Sequence, residues 1–225
     1  MNVRWIALLF LAGSGSLLAQ APTHPRHSEH PAQPAARSYT NNLGFTYTFP
    51  ADWDVVDMSS TLPEARQQAQ QSATTEAEKQ GAACIQIALS ARHGSPASTV
   101  VALVLPFSCL GSVMTDKDIP GMAAGAVEGI QQNMDLTSEP QYGSYALGSH
   151  TVWIERVKGT LKANPQAQYT VETVCSLVKK GAVCWMAMAA DDAALATFEH
   201  GLVTLDHEAP KALVPATAFD TKPAQ

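Results

Sequence analysis

An α+β fold, a mostly antiparallel β-sheet flanked by helices, follows from three observations. Apolar, β-branched runs recur in pairs across short turns, which favours antiparallel pairing. Other segments carry apolar residues at helical spacing. No strand–helix–strand alternation with a glycine-rich phosphate loop accompanies them. The composition, 46% hydrophobic and 15% charged, is that of a packed chain, well above the apolar content of disordered ones.

Met1 to Ala21 reads as a secretory signal. Arg4 and the free amine form the basic start, WIALLFLAG the apolar stretch and Ala19-Gln20-Ala21 the cleavage site. Nine apolar residues followed by GSGS fall short of the ~20 that span a bilayer. The expectation is an exported soluble protein, periplasmic or extracellular, with no stable membrane insertion after cleavage. Residues 22–38 are rich in Pro, Ala and polar residues without an apolar period, hence a disordered linker. A single domain is expected over 39–209, followed by a disordered tail at 210–225.

The domain opens with GFTYTFPADWDVV, two short strands about Pro50. Leu62 to Gln80 is helical in composition, with only Ala65, Ala69, Ala73 and Ala77 marking a face. CIQIALSA and TVVALVLPF are buried strands. Asp118 to Met134 is a helix, with Ile119, Met122, Ala123, Ala126, Val127, Ile130 and Met134 on one side. Strands follow near 142–148, 150–160, 168–178 and 182–190. Asp191-Asp192 suits a helix N-terminus, and Leu195, Phe198, Leu202 and Leu205 fall on one face of the expected last helix.

Cys84, Cys109, Cys175 and Cys184 are even in number in a chain bound for an oxidising compartment, so two disulfides are expected. Proximity favours Cys84–Cys109 and Cys175–Cys184. The second pair faces a register condition: only a Lys179-Lys180 turn, or a bulge, puts both sulfurs on one face of the hairpin.

The opening from Gly44-Phe45 through Pro50 to Trp53, the run YTVETVCSLVKKGAVCWMAMAA and the closing LATFEHGLVTL together resemble the PsbP-like superfamily. That resemblance covers about residues 40–206 and implies an α/β/α sandwich. It also implies work by binding or assisting other proteins rather than by catalysis. No functional residue is carried over from it.

Lys+Arg 14 against Asp+Glu 20 gives a net charge of −6. Removing the leader leaves 13 basic residues against 20 acidic ones, or −7. An acidic chain without a Lys/Arg cluster lacks the footprint for nucleic acid. Nucleophile-elbow, phosphate-loop, H-E-x-x-H and EF-hand patterns are absent from the sequence, and no cofactor is expected. His24, His27 and His30 have a metal-like spacing, read as a plain linker with weak chelation as the alternative. Glu155-Arg156 invites a catalytic reading, against which a cross-strand or edge salt bridge is the commoner arrangement. His200 and His207 are expected on the exposed side of the last helix. Trp53, Trp153 and Trp185 anchor either the core or an interface. Gly121, Gly125 and Gly129 form a stripe away from the apolar face of their helix. The stripe is read first as close packing and, as the sharper alternative, as contact with a partner. The functional expectation is a non-enzymatic exported protein that binds or stabilises another envelope or secreted protein. A small-molecule or metal-binding module is the alternative, and a hydrolase is the third reading.

Overall fold

The computed structural model describes residues 36–220, apart from 50–51, 56–61, 72, 74 and 95–96. The expected signal at 1–21, most of the expected linker with its three histidines, and residues 221–225 lie outside the described residues. So do the side chains of Ala65, Ala69, Ala77, Ala126 and Val127.

In chain order, the strands are β1 (Arg37–Thr40), β2 (Phe45–Phe49), β3 (Asp54–Val55), β4 (Gln86–His93), β5 (Ser98–Pro106) and β6 (Met134–Leu136). After these come β7 (Gln141–Leu147), β8 (His150–Leu161), β9 (Asn164–Val178), β10 (Gly181–Ala189), β11 (Leu202–Leu205) and β12 (Lys211–Ala212). The helices are α1 (Leu62–Gln71), α2 (Glu76–Cys84), α3 (Phe107–Leu110), α4 (Ile119–Asn133) and α5 (Asp192–Glu199). An eight-stranded sheet runs β3-β4-β5-β10-β9-β8, with β6 and β7 both paired to β8. All its pairings are antiparallel, as the sequence predicts. The fold class is α+β.

Strand alternation makes two cores. One face of β9 and β10 presents Val171, Cys175, Cys184 and Met186 to Ile119, Met122 and Ile130 of α4 and Ala82 of α2. The opposite face presents Val174, Val183, Trp185 and Ala187 to Leu195 and Phe198 of α5 and to Phe45 and Tyr47. Burial on both sides explains why β10 reads as one continuous apolar run. Trp53 and Trp185 are core residues, and Trp153 is half-buried beside the α4 side.

The second face departs from the expected helical cover. A separate four-stranded sheet, β1-β2-β11-β12, shares it with α5. The helix expected to carry Leu202 and Leu205 ends at Glu199, and LVTL is strand β11, paired with β2. An added Cβ at Gly201 would lie 2.3 Å from the Tyr47 hydroxyl, which itself donates to Phe198 O. The chain crosses there with no room for a side chain and leaves the helix. Strand alternation then turns Val203 and Leu205 inward and Leu202 outward. His200 is therefore a C-terminal cap, and His207 lies in a turn, both exposed.

Both proposed domain boundaries also move. Arg37 and Ser38, assigned to the linker, begin β1 opposite Phe49 and Thr48. The supposed tail from residue 210 is structured to Asp220: Leu213, Val214 and Ala218 are buried, and Lys211–Ala212 pairs with β11. The helix expected over 62–80 is two helices. Thr75 caps α2, accepting the Glu78 N–H at 3.2 Å while its own N–H donates to the Glu78 carboxylate at 2.8 Å.

Both expected disulfides are present, Cys84–Cys109 and Cys175–Cys184. A Lys179-Lys180 turn sets Val178 opposite Gly181 and thereby Cys175 opposite Cys184, which meets the register condition. The 4.1 Å between their Cα atoms is the close spacing of a non-hydrogen-bonded pair.

Candidate functional site

The free margin of the large sheet beyond β8 is formed by β6 and β7. Gly148-Ser149 is a two-residue turn that puts Leu147 opposite His150. In such a hairpin the hydrogen-bonded pairs alternate with wide ones. Counting from the turn, Tyr142, Ser144 and Ala146 therefore direct their N–H and C=O groups away from β8. Among the described residues, no strand other than β8 pairs with β7.

Edges are ordinarily blunted by brevity, charge or proline. The other margins follow that rule: β3 and β12 have two residues each, β6 has three, and four-residue β1 carries Arg37. Strand β7 has seven residues, QYGSYAL, with neither charge nor proline.

Behind this edge, Glu155 and Arg156 leave β8 on opposite faces, as adjacent strand residues must. Arg156 lies directly across from Glu172. Its Nε donates to Glu172 Oε2 at 2.8 Å and its Nη2 to the same oxygen at 2.6 Å, while Nη2 also donates to Glu199 Oε1. The Phe219 ring covers the guanidinium at 4.5 Å, a cation–π contact. Burial pushes Glu172 up to about 8, with Arg156 pulling it back and Glu199 pushing it further up. Nearby, burial and then the charges of Glu172 and Glu199 raise the Tyr145 phenol, which donates to Leu213 O at 2.5 Å. The salt-bridge reading of Arg156 is the arrangement found.

The C-terminal segment thus seals the inner face of β7. Gly143 permits this, because a Cβ there would lie 2.1 Å from Ala218 O and 2.9 Å from Ile154 Cγ2. Gly143→Ala is expected to destabilise the protein by about 1–3 kcal/mol through this overlap. Urea unfolding checks it: an unchanged midpoint would mean that the segment does not close on β7.

Glu155 has no such partner. It is 1% exposed, and neither carboxylate oxygen has a hydrogen-bond partner. Burial pushes it up to about 8, and the Tyr142 phenol, which approaches without completing a bond, draws it partly back. Tyr142, directly opposite on β7, is 45% exposed. Burial, then the charge and hydrogen-bonding approach of Glu155, then the charge of Glu139 push its phenol up to about 12. A buried carboxylate, roofed by an exposed edge tyrosine, therefore stands one strand in from an open margin.

A third polar group gathers at the hairpin ends. His150 Nδ1 is 2.8 Å from Leu177 O, and its Nε2 is 3.5 Å from Asp206 Oδ2 and 3.9 Å from Glu208 Oε1. Asp206 accepts the Lys179 N–H, and Glu208 accepts the Ser149 N–H and hydroxyl. The Ser149 bonds hold the Glu208 carboxyl below its usual range. Asp206 and His207 have φ of 47° and 67°, with Glu208 N–H returning to Leu205 O at 2.9 Å. This is the left-handed pair that a tight hairpin turn requires. The cluster fastens three turns to one another. Among the described residues, no group of three or more His, Cys, Asp and Glu could hold a metal ion.

Of the residues marked in the sequence, the four cysteines meet in pairs. Gly121 is half-buried, and Gly125 and Gly129 are buried. Tyr142, Tyr145, Glu172 and Glu199 were not anticipated. Glu172 did carry a signal, as the one charged residue within YTVETVCSLV.

No protein-family model matches the chain, and no curated protein matches it. Among solved structures, the chain is similar to the solution structure of cyanobacterial PsbP (CyanoP) from Synechocystis sp. PCC 6803. The TM-score is 0.39 at 9% identity, covering 76% of this chain and 89% of that one.

Proposed function

We propose that the chain is an exported, non-enzymatic binding protein that holds an extended segment of another envelope or secreted protein by strand addition to β7. The observation that carries this reading is the seven-residue uncharged edge strand, with its outward backbone groups unpaired among the described residues. Strand addition satisfies those groups and draws affinity from the main chain, leaving specificity to side chains on alternate positions. The secretory-type N-terminus and the two disulfides fit action outside the cytoplasm. No helix among the described residues is long and apolar enough to cross a membrane.

Ser144→Pro tests the reading. The Ser144 N–H faces outward, so proline there spares the β7–β8 ladder while obstructing a docked strand. With a photocrosslinking residue at Ala146 in the native host, a single crosslinked partner is expected. It should disappear in the Ser144→Pro variant while the melting temperature is retained. A crosslink that survives the proline, or none at all, overturns strand addition.

A further inference from the structure

We propose that the segment held on β7 is basic, and that one of its Lys or Arg side chains pairs with Glu155. The inference rests on the strand-addition reading and adds the chemistry of the partner. Glu155 is 1% exposed, neither oxygen has a hydrogen bond of good geometry and, among the described residues, the Tyr142 phenol is the one polar side chain acting on it, although buried carboxylates are ordinarily paired with a cation or fully hydrogen-bonded. The internal candidate is already spent: Arg156 points to the opposite face and is held by Glu172 and Glu199.

A strand added outside β7 lies two strand spacings from β8, on the order of 10 Å. A Glu and a Lys or Arg reaching toward each other span that gap. The route runs over β7 on the face shared by Tyr142, Ser144, Trp153 and Glu155, since directly opposed residues project to the same side. Ser144 is the small residue on that path. Tyr142 flanks it with an exposed ring, a surface suited to the stem or charge of a basic side chain.

Further acidic groups lie around this hairpin. Glu139 acts on the Tyr142 phenol together with Glu155. At the other end of the hairpin, Asp116 accepts the hydroxyl of Thr151, which stands opposite Ala146. None of Asp116, Glu139 and Glu155 has a salt bridge among the described residues. A second copy docking by the same edge would set these acids against their own equivalents, whereas a basic segment complements them.

The test uses the full chain with fluorescein-labelled peptides of alternating Thr and Val carrying Arg, Ala or Glu at the centre, read by anisotropy. The Arg peptide is expected to bind about tenfold tighter than the Ala peptide, and the Glu peptide weakest. Glu155→Gln should remove the preference while still binding the Ala peptide, and Ser144→Pro should remove all binding. Equal affinities that Ser144→Pro abolishes would overturn the basic partner and leave strand addition standing. Binding of none of the peptides, or binding indifferent to Ser144→Pro, would overturn both. Concentration-dependent sedimentation as a dimer that Ser144→Pro dissolves would replace the basic partner with a second copy.

Discussion

Arg156→Met is expected to lower the free energy of unfolding by about 3–5 kcal/mol at alkaline pH, because it leaves a buried carboxylate without its cation. Glu172 is fully buried, and its only ionic contact among the described residues is Arg156. The loss should grow toward alkaline pH. The folded-state value for Glu172 is already raised to about 8 by burial, and without Arg156 it rises further. Folding then discriminates more strongly against the ionised form as pH climbs past about 8, whereas below that value Glu172 is protonated in the folded state of both proteins. There, the variant loses only what Arg156 itself contributes with Glu199 and Phe219. The double variant Arg156→Met, Glu172→Leu should recover most of the stability, since a buried pair replaced by apolar groups is often neutral. Urea unfolding of both variants at neutral and alkaline pH checks this account. A single-variant loss under about 1 kcal/mol, or a double variant no better than the single, would mean that the ion cluster does not secure the C-terminal segment.

How far the sequence could be read depended on whether two patterns competed. The β9–β10 hairpin and α4 were legible because long segments followed one period each. Leu195, Phe198, Leu202 and Leu205 satisfied a helical spacing, but Leu202–Leu205 also satisfied alternation, and the crossing of Gly201 over Tyr47 decided between them. That contact joins residues far apart in the chain, so no local pattern contains it. The C-terminal segment was missed for a related reason. Leu213, Val214 and Ala218 are buried without any period, each seated by tertiary contact amid Pro, Lys and Thr. Alternation did place Glu155 and Arg156 on opposite faces. Which of them had a partner depended on Glu172 lying opposite Arg156, a cross-strand register invisible to residue types. Strand β7 was legible as a strand, but its position at the margin is a property of topology.

Glu155→Gln is expected to stabilise the protein at alkaline pH, an unusual outcome for a buried polar residue. The Glu155 folded-state value is raised from 4.5 to about 8, so between those values the folded state holds a proton that the unfolded state has released. Stability therefore falls as pH rises through that window, and the full penalty is present above about pH 8. Glutamine cannot ionise and lacks this slope. The variant should be more stable by about 2–4 kcal/mol near pH 9 and within about 1 kcal/mol of the wild type near pH 4. Urea unfolding across that range checks it, and parallel stability curves would show that Glu155 is not held against ionisation. The same penalty bears on binding. A cation that reaches the ionised carboxylate offsets that penalty, so the Arg peptide should raise the melting temperature of the wild type more than that of Glu155→Gln. The difference should widen from pH 6 to pH 9. A residue held against ionisation beside a long, uncharged edge strand is what the proposed basic partner would account for.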